Sequence, residues 1–251
     1  ADGPFGTPLA GISLKLHAGE ILGIAGISGN GQAELLSALT GEIPVADAQA
    51  IWLAGKPVGN RGASRRRGMS LVNVPEERLG RGAVPPMTLR QNALLTAWRQ
   101  GMVGGGMVRP ESTREFASGC IAEFDVRCGG PEAPAQSLSG GNLQKYIVGR
   151  EIRQKPRVMI VAQPTWGVDV AASALIRQRL MDLAAQGVAI LVISEDLGEL
   201  LEMCDTVTVI AGGRLSPLRE VGDTNAEEIG RWMAGLFPGD QATAGQMERA
   251  A

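Results

Sequence analysis

Short apolar runs alternate along this chain with segments whose apolar residues recur at helical spacing. The run Glu20–Ala25 is followed by glycines, and behind it Leu35, Leu36 and Leu39 fall on one face of a helix that Gly41 stops. This order predicts a strand, a loop and a helix. Further apolar runs predict strands at Met69–Val74, Val158–Val161, Val188–Ile193 and Val207–Ala211, with a small β element at Ile51–Leu53.

Helical character prevails in other segments. Within residues 88–124, Leu94, Leu95 and Trp98 form one apolar stripe, and the glycine-rich connector MVGGGMVRP divides the segment. Helical spacing is also found in Ala171–Gln186 and in Leu197–Cys204. Because strands that alternate with helices build largely parallel sheets covered on both faces, the pattern predicts the α/β class.

Length and charge limit the possible functions. The chain has 251 residues, of which 44% are apolar, and this predicts one large domain over residues 1–251. The formal net charge of -2 gives no electrostatic basis for binding nucleic acid, which needs clustered positive charge. The basic cluster Arg65–Arg67 is interpreted as a solvated helix face.

The cysteines and the apolar runs indicate neither a metal site nor a membrane span. Cys120, Cys128 and Cys204 are odd in number and lack metal-ligand spacing, so they are predicted to be reduced, buried thiols. No run is long and apolar enough to span a membrane, and a soluble, cytoplasmic chain is predicted. A start at Ala1 without Met predicts a fragment or processed chain, and the polar residues 239–251 are predicted to fray.

A glycine-rich loop follows the first predicted strand and reads GISGNGQAE. In a phosphate-binding loop, backbone N–H groups surround the phosphates, a Lys reaches them and a hydroxyl binds magnesium. The glycines are present, but Gln32 stands at the Lys position and Ala33 at the hydroxyl position. A plain tight turn would have the same glycines. The candidate contact residues are Gly26, Ser28, Gly29, Asn30, Gly31, Gln32 and Ala33.

A second motif, LSGGNLQK, begins at Leu138. By itself, this segment also fits a serine N-cap with two glycines opening a helix. With the glycine loop and the residues Pro164, Thr165, Gly167 and Asp169 behind a strand, it resembles the nucleotide-binding half of an ABC transporter. The continuation NLQK is similar to the NQQK of bacterial sugar and nucleoside importers.

The resemblance implies a P-loop NTPase core of the RecA type with a mostly parallel sheet. It also implies a small N-terminal antiparallel β part and an inserted helical subdomain at about residues 85–140. In the family, the serine hydroxyl and glycine amides of this motif contact the γ-phosphate of ATP held by the opposite subunit. Ser139, Gly140, Gly141 and Asn142 match those positions, and Asp169 matches an aspartate of the dimer interface.

Several positions depart from the family pattern. The family reads D-E-P-T where this chain has Ala162 and Gln163, which supply neither a magnesium ligand nor a base. Glu195 stands at the position of the switch histidine, and Glu76 at that of a glutamine that contacts magnesium and the membrane partner. The resemblance therefore predicts no intact catalytic residue and little or no ATP hydrolysis. ATP is expected to bind weakly or in trans, with Mg²⁺ poorly held.

These features are similar to the second half of a tandem importer ATPase for sugars or nucleosides. The implied partners are an intact first nucleotide-binding half and a membrane permease, contacted near Glu76 and the helical subdomain at the cytoplasmic face of the inner membrane. One alternative is a structural or regulatory dimerisation module that binds no nucleotide. Others are an ATPase with Glu195 or Glu76 as base, and a DNA-repair ATPase, which would need a long coiled-coil insertion.

Overall fold

The computed structural model describes residues 6–238 and divides into two compact units. Of these residues, the first unit contains 6–69 together with 189–238, and the second contains 70–188. The segment 239–251, for which fraying is predicted, lies outside the described residues.

Strands and helices alternate as the apolar pattern predicts. The strands are β1 Ile21–Ala25, β2 Trp52–Leu53, β3 Lys56–Pro57, β4 Leu71–Val74, β5 Val103–Gly104, β6 Met107–Val108, β7 Val158–Ala162, β8 Ala189–Ser194, β9 Thr206–Ala211, β10 Arg214–Leu215 and β11 Arg219–Glu220. The helices are α1 Gln32–Thr40, α2 Ala63–Arg67, α3 Leu89–Ala97, α4 Pro110–Glu123, α5 Gly140–Ile152, α6 Val170–Ala185, α7 Leu197–Met203 and α8 Ala226–Met233.

The first unit is built around β1. This strand pairs in parallel with β8 on one side and with β9 on the other. Every residue of β1 and of β8 is buried, which explains why both strands are apolar apart from Ser194 at the end of β8. The short strands β10 and β11 run antiparallel to β9, and β2 and β3 form a separate antiparallel hairpin. The parallel pairing confirms the predicted α/β class.

Helix α1 ends at Gly41, which adopts φ 78°, a left-handed conformation that favours glycine. The last carbonyls of this helix are satisfied by Arg66, which is fully buried and donates to Leu39 O at 2.6 Å. The same guanidinium donates to Gly59 O and Arg61 O, both at 2.9 Å. Burial lowers the pKa of Arg66. The interpretation of Arg65–Arg67 as a solvated face is therefore wrong for Arg66, because helix ends need donors for their carbonyls.

Replacing Arg66 with methionine should lower the free energy of unfolding by about 2–3 kcal/mol, because buried carbonyls lose their donor. Chemical denaturation measures the effect. Arg65→Met is the matched control, since Arg65 is exposed, and it should change stability by no more than about 0.5 kcal/mol. Equal unfolding midpoints for the two variants would contradict this role of Arg66.

The second unit pairs β4 in parallel with β7, and Val74 lies opposite Val161 near the ends of both strands. Helix α5 is buried along nearly its whole length. Of the stripe predicted for α3, Leu94 packs against a buried cluster, whereas Leu95 and Trp98 are exposed. In that cluster, the buried residues of α3 are alanines, and they pack with α4 and the segment between the two helices. This cluster consists of Ala93, Ala97, Met102 and Ala117.

The connector predicted between α3 and α4 forms a hairpin of β5 and β6. Its turn residues, Gly105 and Gly106, have φ of 58° and 79°. Two successive positive φ values belong to the tight hairpin turn that glycine favours. The run of glycines therefore marks a turn between two short strands as well as a separator of helices.

The three cysteines are free thiols, and Cys120 and Cys204 are buried as predicted, whereas Cys128 is half-buried. Burial raises the pKa of Cys120 to about 12. Within residues 6–238, no group of His, Cys, Asp and Glu is arranged to hold a metal ion. In the same range, no helix has the length and apolar character needed to cross a membrane.

Candidate functional site

The glycine loop of the first unit lies between β1 and α1. Gly29 and Gly31 have φ of 88° and 110°, values that side chains other than glycine rarely adopt. Gly26 is required for a different reason, since a Cβ there would lie 2.7 Å from the carbonyl oxygen of Ile210 on β9. The loop therefore has the backbone path that the glycines predict, and it is held close to β9.

Gln32, the first residue of α1, folds back onto this loop. Its Nε2 donates to Ile27 O at 2.7 Å, and its Oε1 accepts from the N–H of Asn30 at 3.0 Å. The N–H of Ser28 donates to Glu195 Oε1 at 2.6 Å. Two N–H groups of the loop therefore already donate to side-chain oxygens of the protein. Ala33 is exposed and offers no polar group to a ligand.

Asn30 also anchors the loop through hydrogen bonds. Its Oδ1 accepts from the N–H of Gly212, and its Nδ2 donates to Ile27 O, both at 2.9 Å. Its carbonyl oxygen accepts from the N–H of Gly213 at 2.9 Å. The sequence predicts that Asn30 contacts a nucleotide. In the structure, Asn30 forms hydrogen bonds with the turn after β9.

The LSGGN segment, residues 138–142, forms the amino end of α5 in the second unit. Ser139 occupies the N-cap position, but its side chain makes no capping hydrogen bond. Its Oγ instead accepts from Asn142 Nδ2 at 2.9 Å, and Asn142 Oδ1 accepts from the N–H of Arg127 at 2.8 Å. The alternative reading is therefore confirmed in position, since Ser139 is the N-cap and Gly140 and Gly141 open the helix, but the capping hydrogen bond of its side chain is absent. The first turn of this 13-residue helix, in which Gly140 is exposed and Gly141 is buried, carries a partial positive charge.

Arg78 lies beside this helix end, a position that the motifs alone do not reveal. A Cβ on Gly140 would be 2.8 Å from Arg78 Nη1, and one on Gly167 would be 3.8 Å from it. Arg78 Nε donates to Gln144 Oε1 at 3.2 Å. Burial lowers the pKa of Arg78, yet a guanidinium remains charged in proteins. The available signal was its place just after β4, since parallel strands bring their carboxyl ends to one edge.

Asp169 lies next to the LSGGN segment. It caps α6 by accepting from the N–H of Ala172 at 2.9 Å, and this bond lowers the pKa of the carboxyl. A Cβ on Gly141 would lie 3.2 Å from Asp169 Oδ2. Trp166 and Val170, close to Asp169 in the chain, are 63% and 85% exposed. The second unit thus brings together Asp169, the LSGGN segment and Arg78.

Neither of the two motif positions at the end of β7, Ala162 and Gln163, carries an acidic side chain. Ala162 ends the strand and is buried, and Gln163 follows with φ 49°, also buried. Glu195 follows β8 in the first unit and contacts the loop there. Glu76 is exposed after β4. The predicted residues thus fall into both units. In the first, the loop contacts Glu195; in the second, the LSGGN segment lies beside Asp169, and the same unit contains Ala162, Gln163 and Glu76.

Sequence comparison identifies the family. Residues 9–166 match the family model described as ABC transporter. The nucleoside import ATP-binding protein NupA of Lactococcus lactis is 41% identical over 226 residues, which are 90% of this chain and 44% of that protein. The ribose import ATP-binding protein RbsA of Geobacillus kaustophilus is 33% identical over 224 residues, 89% of this chain and 45% of that protein. The chain thus spans less than half the length of these relatives.

Structural comparison agrees at the level of the fold. An ATP-binding cassette solved as a dimer in a post-hydrolysis state with ADP and Pi superposes with a TM-score of 0.74 and 19% identity, covering 85% of this chain and 90% of that one. This likeness confirms the predicted P-loop NTPase fold with its mostly parallel sheet, small antiparallel sheets and helical subdomain. Because the family model also matches more than half of the residues, the chain belongs to the ABC transporter family as an ATP-binding domain.

Proposed function

We propose that this chain is the second nucleotide-binding half of the ATP-binding subunit of an importer for sugars or nucleosides. It contributes Ser139–Asn142 to ATP held by an intact first half, while its own site does not hydrolyse ATP. The names of the relatives, nucleoside and ribose import ATP-binding proteins, support the substrate class. The share of those relatives that the chain covers, 44% and 45%, supports a tandem arrangement.

The amino end of α5 is the observation that carries this proposal. Its first amides receive no capping bond from Ser139, and the Arg78 guanidinium lies beside Gly140. A helix amino end attracts anions, and a neighbouring cation strengthens that attraction. Ser139 Oγ accepts from Asn142, so its own proton is available to donate to a phosphate oxygen. This end of the helix is suited to a phosphate group that the partner presents.

In each unit, the residues at the nucleotide-binding motif positions fit a magnesium nucleotide poorly. Ala33 has no hydroxyl and Ala162 no carboxylate, so neither can hold Mg²⁺. Gln163 has no basicity with which to activate water. Gln32 offers a neutral amide where a Lys would offer charge, and charge-assisted bonds are roughly twice as strong. ATP is therefore held weakly here, and catalysis depends on the other half.

The same proposal sets the partners and the location. A membrane permease would contact the region near Glu76 and the helical subdomain of residues 85–140, at the cytoplasmic face of the inner membrane. That subdomain exposes Leu95, Trp98 and Met107, apolar side chains suited to a protein partner. Residues 1–251 would act as one nucleotide-binding domain, whose closure on the first half drives the permease.

Titration calorimetry of this chain with ATP, with and without Mg²⁺, tests the proposal. We expect a Kd of about 1 mM or weaker, corresponding to about -4 kcal/mol, without tightening by Mg²⁺. ATP hydrolysis should be undetectable. Gln163→Glu should not restore it, since Ala162 still leaves the metal without its ligand. Tight, Mg²⁺-dependent binding or turnover by the unaltered chain would contradict a degenerate site.

The dimerisation module remains a second candidate, because the bonds from Ser28 to Glu195 and from Asn30 to Gln32 already use loop amides. It predicts that changes in the LSGGN segment leave hydrolysis by the first half unaltered. The DNA-repair alternative finds no support in residues 6–238, whose longest helix, α6, has 16 residues, too short for a long coiled coil.

A further inference from the structure

We propose that Glu195 determines what the glycine loop accepts: its carboxylate is an internal anion that occupies the loop amide a phosphate oxygen would need. This inference rests on the proposed function and deepens it. Phosphate binding by the loop is then weakened by the carboxylate of Glu195 as well as by the absence of a lysine. One side chain, placed after β8, sets that selectivity.

The sheet register places Glu195 against the loop. Strands β1 and β8 pair in parallel, with Ala25 opposite Ser194. Residues that follow both strands therefore emerge at the same edge of the sheet. Ser28 and Glu195, separated by 167 positions, meet there with an N–H to carboxylate distance of 2.6 Å. A bond this short, with a charged acceptor, belongs to the stronger class of hydrogen bonds.

The turn after β8 is itself fixed by hydrogen bonds. Asp196 caps α7 by accepting from the N–H of Glu199 at 3.1 Å. The N–H of Asp196 donates to Ser194 Oγ at 3.1 Å, and that hydroxyl donates to Glu199 Oε2 at 2.9 Å. Residues on both sides of Glu195 are thus held, so its carboxylate contacts the loop from an anchored backbone.

A second N–H group of the loop also donates to a side chain of the protein. Gln32 Oε1 accepts the N–H of Asn30, two residues beyond Ser28. A phosphate that approaches the loop must displace the Gln32 and Glu195 oxygens, and it meets the negative charge of Glu195. Phosphate and carboxylate oxygens compete for the same kind of backbone donor. Removing the carboxylate therefore frees a donor and removes a like charge in one step.

The test is calorimetric titration of inorganic pyrophosphate and of Mg²⁺-free ATP into the 251-residue chain. Glu195→Ala should tighten binding of both probes about tenfold, and the isosteric Glu195→Gln about threefold, since the amide oxygen can keep the Ser28 bond without charge. Glu227→Gln removes the same charge from an exposed position on α8 of the same unit, and it should change affinity by less than about twofold. Thermal unfolding verifies that each variant is folded.

Unchanged affinity in both folded Glu195 variants would overturn the inference. If Glu195→Ala does not fold, Glu195→Gln decides alone, because it preserves the size of the side chain. The two proposals fail in different ways. Tight Mg²⁺-ATP binding by the unaltered chain contradicts the degenerate site, whereas weak binding that no Glu195 variant improves contradicts only the role of Glu195.

Discussion

Replacing Glu151 with alanine should lower the free energy of unfolding by about 3–5 kcal/mol, because it leaves a buried guanidinium without its counter-ion. Glu151 Oε1 lies 2.8 Å from Arg150 Nε, and the two side chains are 0% and 2% exposed. Glu151 Oε2 also accepts from Gln154 Nε2 at 2.8 Å. The pair lies in α5, whose amino end is the LSGGN segment, so the loss should loosen the helix that presents that segment.

Urea denaturation measures the effect, with Glu111→Gln as the control. Glu111 is 85% exposed and 3.9 Å from Arg114, so its replacement should change stability by no more than about 0.5 kcal/mol. A double variant, Arg150→Met with Glu151→Leu, should recover most of the loss, since it removes both charges together. If Glu151→Ala proves as stable as Glu111→Gln, the buried pair does not stabilise α5.

Much of the fold can be predicted from the sequence because parallel strands are buried on both faces. Apart from Ser194 at the end of β8, the strands β1, β7 and β8 are runs without polar side chains, and they can be recognised without knowing which strands they pair with. The start and end of α1 are equally local, since Gly31 and Gly41 adopt left-handed conformations at its two ends. Such features depend on the backbone itself and are visible in any short window of the chain.

The incorrect predictions concern residues whose environment is set by distant parts of the chain. Arg66 looks like one of three solvated arginines until the carbonyls of Ala38 and Leu39 are placed beside it. Trp98 and Leu95 have helical spacing, yet alanines on another face of α3 make the closer packing. Amphipathic spacing identifies a helix better than it identifies the buried side of that helix.

The candidate site likewise combines features that are visible in the local sequence with contacts that depend on distant residues. Two motifs predicted for the second unit, the LSGGN segment and Asp169, lie together, because the LSGGN segment and the cap of α6 are adjacent there. The sequence does not predict Arg78, because its position beside Gly140 depends on the pairing of β4 with β7, strands about ninety residues apart. The contact between Ser28 and Glu195 likewise joins positions 167 residues apart. The sequence shows that Gln32 and Glu195 differ from the residues of the family pattern. It does not show the hydrogen bonds that these two side chains make with the loop.

In the two-half subunit that we propose, Gly140→Asp should reduce ATP hydrolysis by at least about 100-fold, the usual cost of losing one preorganised donor to a developing charge. A Cβ at this position lies 2.8 Å from Arg78 Nη1. The new carboxylate would pair with that guanidinium and accept from the first amides of α5, as Glu195 accepts from Ser28. An internal anion would then hold the place proposed for the phosphate of the partner's ATP. Steady-state phosphate release at saturating ATP measures the loss.

Gly129→Asp is the matched control, because it adds the same charge to the same unit at an exposed glycine where a Cβ has room, 3.9 Å from Ala133 Cβ. It should keep hydrolysis within about threefold of the unaltered protein. Thermal unfolding separates lost chemistry from lost structure, since Gly140 is exposed at a helix end and its replacement should leave the core intact. If the folded Gly140→Asp subunit hydrolyses ATP as fast as the Gly129→Asp subunit, the LSGGN segment takes no part in the reaction, and the dimerisation module becomes the better account of this half.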